Sequence, residues 1–268
     1  MDGFRYEITQ HLIPSPSRRR RGVLMNPGVR FLVAHDTGNP GSSAMQNARY
    51  FASTPNPPLD KISSAHLFVD DRQIVESVPA ISMAEKASHV LKNLAGDNQL
   101  YGYDANDAAI GIEYCYGSQI NSDEAYRRYV HVLAWLCRRY ELDPGRHITG
   151  HFILDPRRRS DPVTGLAHSR RSYEQLLRDV AAEFVGSGGS MPAASPLPAN
   201  GQQYAATVRL NLRSGKPSRL APISRTVQPG ALLDAVGADA HGESVAGQSL
   251  WLRTDADEWF WAGGVRLV

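Results

Sequence analysis

The chain has 268 residues, 42% of them hydrophobic and 21% charged, with a net charge of +2. That length allows one large domain or two smaller ones, and the balance is that of an ordinary soluble globular protein. So mild a charge gives no electrostatic reason to expect a nucleic-acid partner, and no apolar run reaches the 18 or so residues of a membrane-spanning helix.

The opening MDGFRYEITQ lacks the basic start and apolar stretch of a Sec signal peptide, so the chain is read as made in the cytoplasm. VRFLVAH (29–35) is an almost unbroken apolar run, the pattern of a strand covered on both faces. Residues 42–53 carry helical spacing at Met45, Ala48 and Phe51 behind a serine N-cap. AHLFVDD (65–71) and QIVESVP (73–79) read as two strands joined by a tight Asp-Arg turn. Residues 91–108 are polar and read as a loop walling one side of a groove, and AIGIEYCYG (109–117) is a further strand.

The stretch 123–140 has apolar residues at 126, 129, 130, 133, 136, 137 and 140, the 3.6-residue period of an amphipathic helix, and Asp-Pro-Gly at 143–145 stops it. A last helix starts at Ser172, with Gln175 completing a capping box and Leu176, Leu177, Val180 and Phe184 as its buried stripe. This order predicts an α/β fold, a mixed sheet with helices packed on its faces. The two cysteines, Cys115 and Cys137, lie in apolar patterns and are expected as buried free thiols.

At 186–203, GSGGSMPAASPLPANGQQ, the apolar period disappears into a Gly/Ser/Pro/Ala linker. It divides a first domain, 1–185, from a second, 204–268. The second reads as short strands: TVRLNLRSG, ALLDAVGAD, SLWLRT and EWFWAGGVRLV, which predict a small barrel. The spacing of NLRSG, WLRT and WFWAGGVRLV resembles bacterial SH3-like domains, and that resemblance implies a module that holds its partner domain on the cell wall.

The segment GHFILDPRRRSDP (150–162) sets His151 ten positions ahead of Asp161. Zinc takes imidazole, thiolate and carboxylate ligands, and a catalytic zinc keeps one position for water. His35 ends the buried strand at the sheet edge where α/β sites are built. It meets His151 and Asp161 if the segment 31–35 neighbours 147–152. Taken alone, each of these residues reads more readily as a turn, core or surface side chain than as a ligand.

Taken jointly, four ordered stretches resemble the zinc-dependent N-acetylmuramoyl-L-alanine amidases of the amidase-2 and peptidoglycan recognition protein family. They are ITQHLIPSPSRRRRGVLMNPGVRFLVAHDTGNPG, SSAHLFVDDRQIVESVP, AIGIEYCYG and GHFILDPRRRSDP, and the likeness spans roughly residues 7 to 184. The resemblance implies zinc held by His35, His151 and Asp161, where some members use Cys as third ligand. It implies Glu113 as general base and Arg159, where the family commonly has lysine, steadying the oxyanion. It implies hydrolysis of the bond between N-acetylmuramic acid and L-alanine in peptidoglycan, in a phage-lysin or delivered-effector setting, with peptidoglycan as the partner. A fragment receptor without catalysis and a cytosolic enzyme recycling wall fragments are the alternatives. Two departures affect substrate contact: His66 is followed by Leu67 instead of an aromatic residue, and AEKASHV replaces a Trp-His-Ala segment, leaving open whether His89 takes over its role.

Overall fold

The computed structural model describes residues 5–187, 202–239, 242–243, 245 and 250–267. The chain forms two compact units, 1–190 and 191–268. Most of the linker expected at 186–203 lies outside the described residues. Where its ends are described, a helix runs through Gly186 and a strand begins at Gln202.

The first unit contains β1 (Ile8–Gln10), β2 (Phe31–Asp36), α1 (Ala44–Ser53), β3 (Leu67–Val69), β4 (Ile74–Glu76), α2 (Ala95–Tyr101), α3 (Ala105–Ala108) and β5 (Ala109–Tyr114). It continues with α4 (Ser122–Arg139), β6 (Ile148–Gly150), α5 (His151–Leu154), α6 (Val163–His168) and α7 (Tyr173–Gly186). The six strands make one sheet in the order β1-β4-β3-β5-β2-β6, parallel except for the β3–β4 hairpin. This is the mixed sheet that the sequence predicts.

The two-residue period of a strand explains why both faces are filled. Leu32, Ala34, Ile110 and Ile112 pack toward α4 and α7, with Tyr129, Leu133, Leu136, Leu176 and Val180. Phe31, Val33 and Ala109, of the opposite parity, pack with Val90, Ala105 and Leu154. His35 and Glu113 share the parity of this second set, so they belong to the face away from α4.

The helix boundaries follow local capping chemistry. Ser43 and Gln46 form a reciprocal capping box on α1, and Asn121 caps α4 by accepting from the Glu124 N–H. At α7 the expected box is only half made. Ser172 accepts from the Gln175 N–H, but the Gln175 side chain donates to Asp179 and accepts from Arg178 instead of returning to the cap. The segment 91–108 is not the predicted loop: it holds α2 and α3, with Asp104 accepting from the Asn106 N–H as the cap of α3. Both cysteines are buried and free.

The second unit has strands β7 (Gln202–Ala206), β8 (Leu210–Ser214), β9 (Ile223–Val227), β10 (Leu232–Ala235), β11 (Gly237–Asp239), β12 (Trp251–Arg253), β13 (Glu258–Trp261) and β14 (Val265–Leu267). They form antiparallel sheets ordered β10-β7-β14 and β11-β12-β13-β8-β9. Leu210, Leu212, Val227, Leu233, Leu252 and Phe260 make its own core. Among the described residues no helix is long and apolar enough to cross a membrane.

Candidate active site

Three parallel strands end side by side. In register, Ala34 of β2 lies beside Gly150 of β6, and His35 lies beside Glu113 of β5. His151 follows the last residue of β6 and opens α5. Ligand sites in parallel sheets form beyond the carboxyl ends of the strands, and here those ends carry two histidines and a glutamate. Asp161 comes from the loop between α5 and α6. The Phe152 N–H donates to the Asp161 carbonyl at 3.0 Å, which ties that loop to the start of α5.

The side chains close on one point. His35 Nδ1 lies 2.9 Å and His151 Nδ1 3.0 Å from the same atom, Asp161 Oδ2. The two rings stand 4.7 Å apart, nearly perpendicular. Ligand atoms from the three residues all lie within 4.8 Å of one another, and both imidazoles are buried. Two imidazole nitrogens facing one carboxylate oxygen are a donor set that zinc accepts, with a fourth position left over.

The electrostatics give these groups their metal-binding forms. Burial pulls His35 down to about 4, with His151 adding to the effect and Asp161 opposing it. Burial alone would raise Asp161, but its contacts with neighbouring groups, the His151 side chain foremost, outweigh burial and hold the carboxyl below the usual range. Near neutral pH the site therefore offers a neutral His35 imidazole and an ionised carboxylate, the states in which such groups ligate metals. The His151 Nε2 is buried with no hydrogen-bond partner among the described residues. Donor type, convergence and protonation all fit a zinc ion.

Glu113 Oε2 is likewise buried without a hydrogen-bond partner among the described residues. Burial first, then the neighbouring Asp161 and Asp36, hold its carboxyl well above the ordinary value, while Arg159 acts in the opposite direction. Arg159 is exposed, its backbone N–H donating to the Asp155 carbonyl, and its charge is felt at both Glu113 and His35. Glu113 is not on an edge strand, since β5 runs between β3 and β2.

Two further histidines lie close by: His66 is bonded to the backbone, and His89 contacts His35. His66 Nδ1 accepts from the Gly111 N–H at 2.9 Å and its Nε2 lies 2.9 Å from the Glu85 carbonyl. His89 is buried, with Nδ1 3.0 Å from His35 Nε2. A cleft of about 450 Å³ bounded by Tyr6, Tyr126, Arg127 and Arg171 contains none of these groups.

Some supporting residues carry no signal in the sequence. Asp36 accepts from the Gly38 and Gly165 N–H groups at 3.1 and 2.7 Å, fastening α6 beside the site. A Cβ at Gly165 would stand 2.6 Å from that of Asp36, so only glycine lets the helix approach so closely. The Tyr129 hydroxyl, read from sequence simply as part of a buried stripe, lies 3.0 Å from the His35 carbonyl and 3.1 Å from that of Ile112. A buried phenol needs such an acceptor, but nothing in the sequence says which one.

A family model described as N-acetylmuramoyl-L-alanine amidase, Amidase_2, matches residues 25–164. The N-acetylmuramoyl-L-alanine amidase BlyA of Bacillus subtilis (strain 168) is 29% identical over 196 residues, covering 70% of this chain and 50% of that protein. CwlL of Bacillus licheniformis, another N-acetylmuramoyl-L-alanine amidase, is 33% identical over 127 residues, covering 47% and 34%. The chain thus spans at most half the length of these relatives. Among solved structures, the catalytic domain of XlyA matches with a TM-score of 0.51 at 22% identity, covering 65% of this chain and 99% of that one. The Staphylococcus aureus hydrolase AmiA, solved in complex with its ligand, matches with a TM-score of 0.51 at 19% identity, covering 67% and 83%. At these identities the structural likeness shows a shared fold.

Proposed function

Since the chain belongs to the Amidase_2 family of N-acetylmuramoyl-L-alanine amidases, we propose that it hydrolyses the amide bond between N-acetylmuramic acid and L-alanine in peptidoglycan. The observation that carries this reading is the convergence of His35, His151 and Asp161 on one point, with Glu113 next to His35 across the strand pair. In this proposal the three residues hold zinc. When bound, zinc supplies Lewis acidity that polarises the amide carbonyl and makes water more acidic.

The chain's own residues supply the proton traffic. Glu113, as carboxylate, accepts a proton from the attacking water and delivers it to the departing amine of L-alanine. Burial of its Oε2 keeps that carboxylate away from bulk water. The permanent cation of Arg159 opposes the negative charge that builds on the carbonyl oxygen, although a guanidinium cannot give up its proton as a lysine can. Digesting purified sacculi and identifying the new ends by mass spectrometry tests the reaction. Free N-terminal L-alanine paired with intact muramic acid lactyl groups is the expected result. New reducing sugar ends, or cuts within the stem peptide, would overturn it.

For the second unit we propose an SH3-like wall-binding role. The short antiparallel strands and independent core seen among the described residues support a self-contained module. Tethering raises the local concentration of the catalytic unit on a polymeric substrate without altering its chemistry. Deleting 204–268 is therefore expected to leave cleavage of a small soluble muropeptide nearly unchanged while slowing digestion of intact walls. Equal loss on both substrates would instead assign this unit to support of the catalytic fold.

A further inference from the structure

We propose that His89 is a positioning residue of the metal centre, one that accepts the Nε2–H of His35 and so fixes the tautomer in which His35 Nδ1 is free to ligate. The inference rests on the zinc reading above. It follows from which atoms are able to donate. His89 Nε2 lies 3.1 Å from the Ala105 carbonyl and 3.0 Å from the Ala109 carbonyl. Carbonyl oxygens only accept, so Nε2 carries the hydrogen. A neutral imidazole has one N–H and one lone pair, which leaves His89 Nδ1 as an acceptor. The atom facing it at 3.0 Å is His35 Nε2, which must therefore donate. His35 then presents a lone pair at Nδ1, 2.9 Å from the carboxylate oxygen of Asp161. Two acceptors at that separation repel, and a cation shared between them turns the contact into an attraction.

The ring that directs this relay is itself held in place. The N–H groups of His89 and Val90 both donate to Asn106 Oδ1, at 2.8 and 3.0 Å, and Asn106 Nδ2 donates back to the Val90 carbonyl. His89 is buried and its ring nitrogens meet two carbonyls and His35, with no carboxylate among these partners to compensate a cationic ring. Gly111, inside β5, makes room for the ring: a Cβ there would stand 2.7 Å from His89 Cγ and Nδ1. A glycine in a strand interior often marks such a close approach. Second partners of this kind orient metal-binding histidines and raise their basicity.

The test uses zinc alone, titrated into metal-free protein near neutral pH against a chromophoric chelator, with far-UV circular dichroism to verify folding. His89→Phe keeps a ring but removes the acceptor. Gly111→Ala leaves His89 in the chain and displaces its ring. Both are expected to weaken zinc binding about 10- to 100-fold. His89→Asn, whose Oδ1 falls near the position of Nδ1, should retain most of the affinity. Long-range proton–nitrogen correlation spectra of the zinc-loaded wild-type protein, labelled at histidine, should show His89 protonated at Nε2 and bare at Nδ1. A His89 protonated at Nδ1, or a folded Gly111→Ala variant with wild-type zinc affinity, would overturn the inference while leaving the zinc reading intact. A wild-type chain that takes up no zinc would overturn both.

Discussion

Glu113→Gln is expected to yield a folded, zinc-binding chain whose turnover of a soluble muropeptide is about 10²- to 10⁴-fold lower than wild type, the usual range for loss of a general base. The substitution is close to isosteric, and Glu113 Oε2 has no hydrogen-bond partner among the described residues to lose. The change removes the only feature the reaction needs at that atom, a lone pair able to take a proton. The pH dependence should follow the same group. Burial raises the Glu113 carboxyl, a nearby zinc ion lowers it, and activity in the wild type should fall on the acid side as the carboxylate is protonated. That acid limb should be missing from the residual activity of the variant.

The stability effect of the same substitution has the opposite sign. A carboxyl whose folded value is raised favours the fold below its unfolded value, and that advantage is lost as pH rises from about 4.5 toward the folded value. Glutamine has no such loss, so metal-free Glu113→Gln should unfold no more easily than metal-free wild type at neutral pH. A variant that keeps more than about a tenth of wild-type turnover, well above the range for a lost general base, would move the base elsewhere.

The parts of this molecule legible in the sequence are those governed by local periodicity. The apolar run before His35 read as a strand covered on both faces, and β2 carries Phe31 and Val33 into one core and Leu32 and Ala34 into another. The seven spaced apolar positions of 123–140 gave α4 to within a residue at each end. Strand β9 carries no marking alternation, because four of its five residues, Ile223 to Thr226, are exposed. Helix α3 is hidden by the polar composition of 91–108, which masks the capping aspartate at 104. The half-made box at Ser172 has another cause, since Asp179 and Arg178 compete for the Gln175 side chain and capping rules count only the two ends of the box.

The site shows the same division. His35, His151, Asp161 and Glu113 are singled out through a family resemblance, and the adjacency of 31–35 and 147–152 is a condition that the β2–β6 pairing meets. The parity that sends His35 and Glu113 to one face is also a local rule. What surrounds them is not local. His89 reaches His35 across 54 positions, Tyr129 reaches it across 94 and Asp36 reaches Gly165 across 129. Those partners depend on the order of strands in the sheet, which periodicity does not contain.

His35→Ala and Asp161→Ala are each expected to drop zinc from one ion per chain to a small fraction of that, and to abolish amidase activity with it. The expectation follows from what each leaves behind. Without His35 the centre keeps one imidazole and one carboxylate, and His89 Nδ1 loses the group 3.0 Å away that it serves. Without Asp161 it keeps two imidazoles, rings 4.7 Å apart, and no anionic ligand to balance a divalent charge. Elemental analysis of protein purified without chelator gives the stoichiometry, and the muropeptide assay gives the activity. Asp161→Cys separates ligation from mere packing. A thiolate is a good zinc ligand and an anion, so this variant should retain zinc where Asp161→Ala does not, although its longer metal bond will shift the centre. Full zinc in both alanine variants would show that other residues hold the ion. Zinc lost equally from Asp161→Cys and Asp161→Ala would indicate that position 161 supports the loop between α5 and α6 through its shape, and not the metal through its charge.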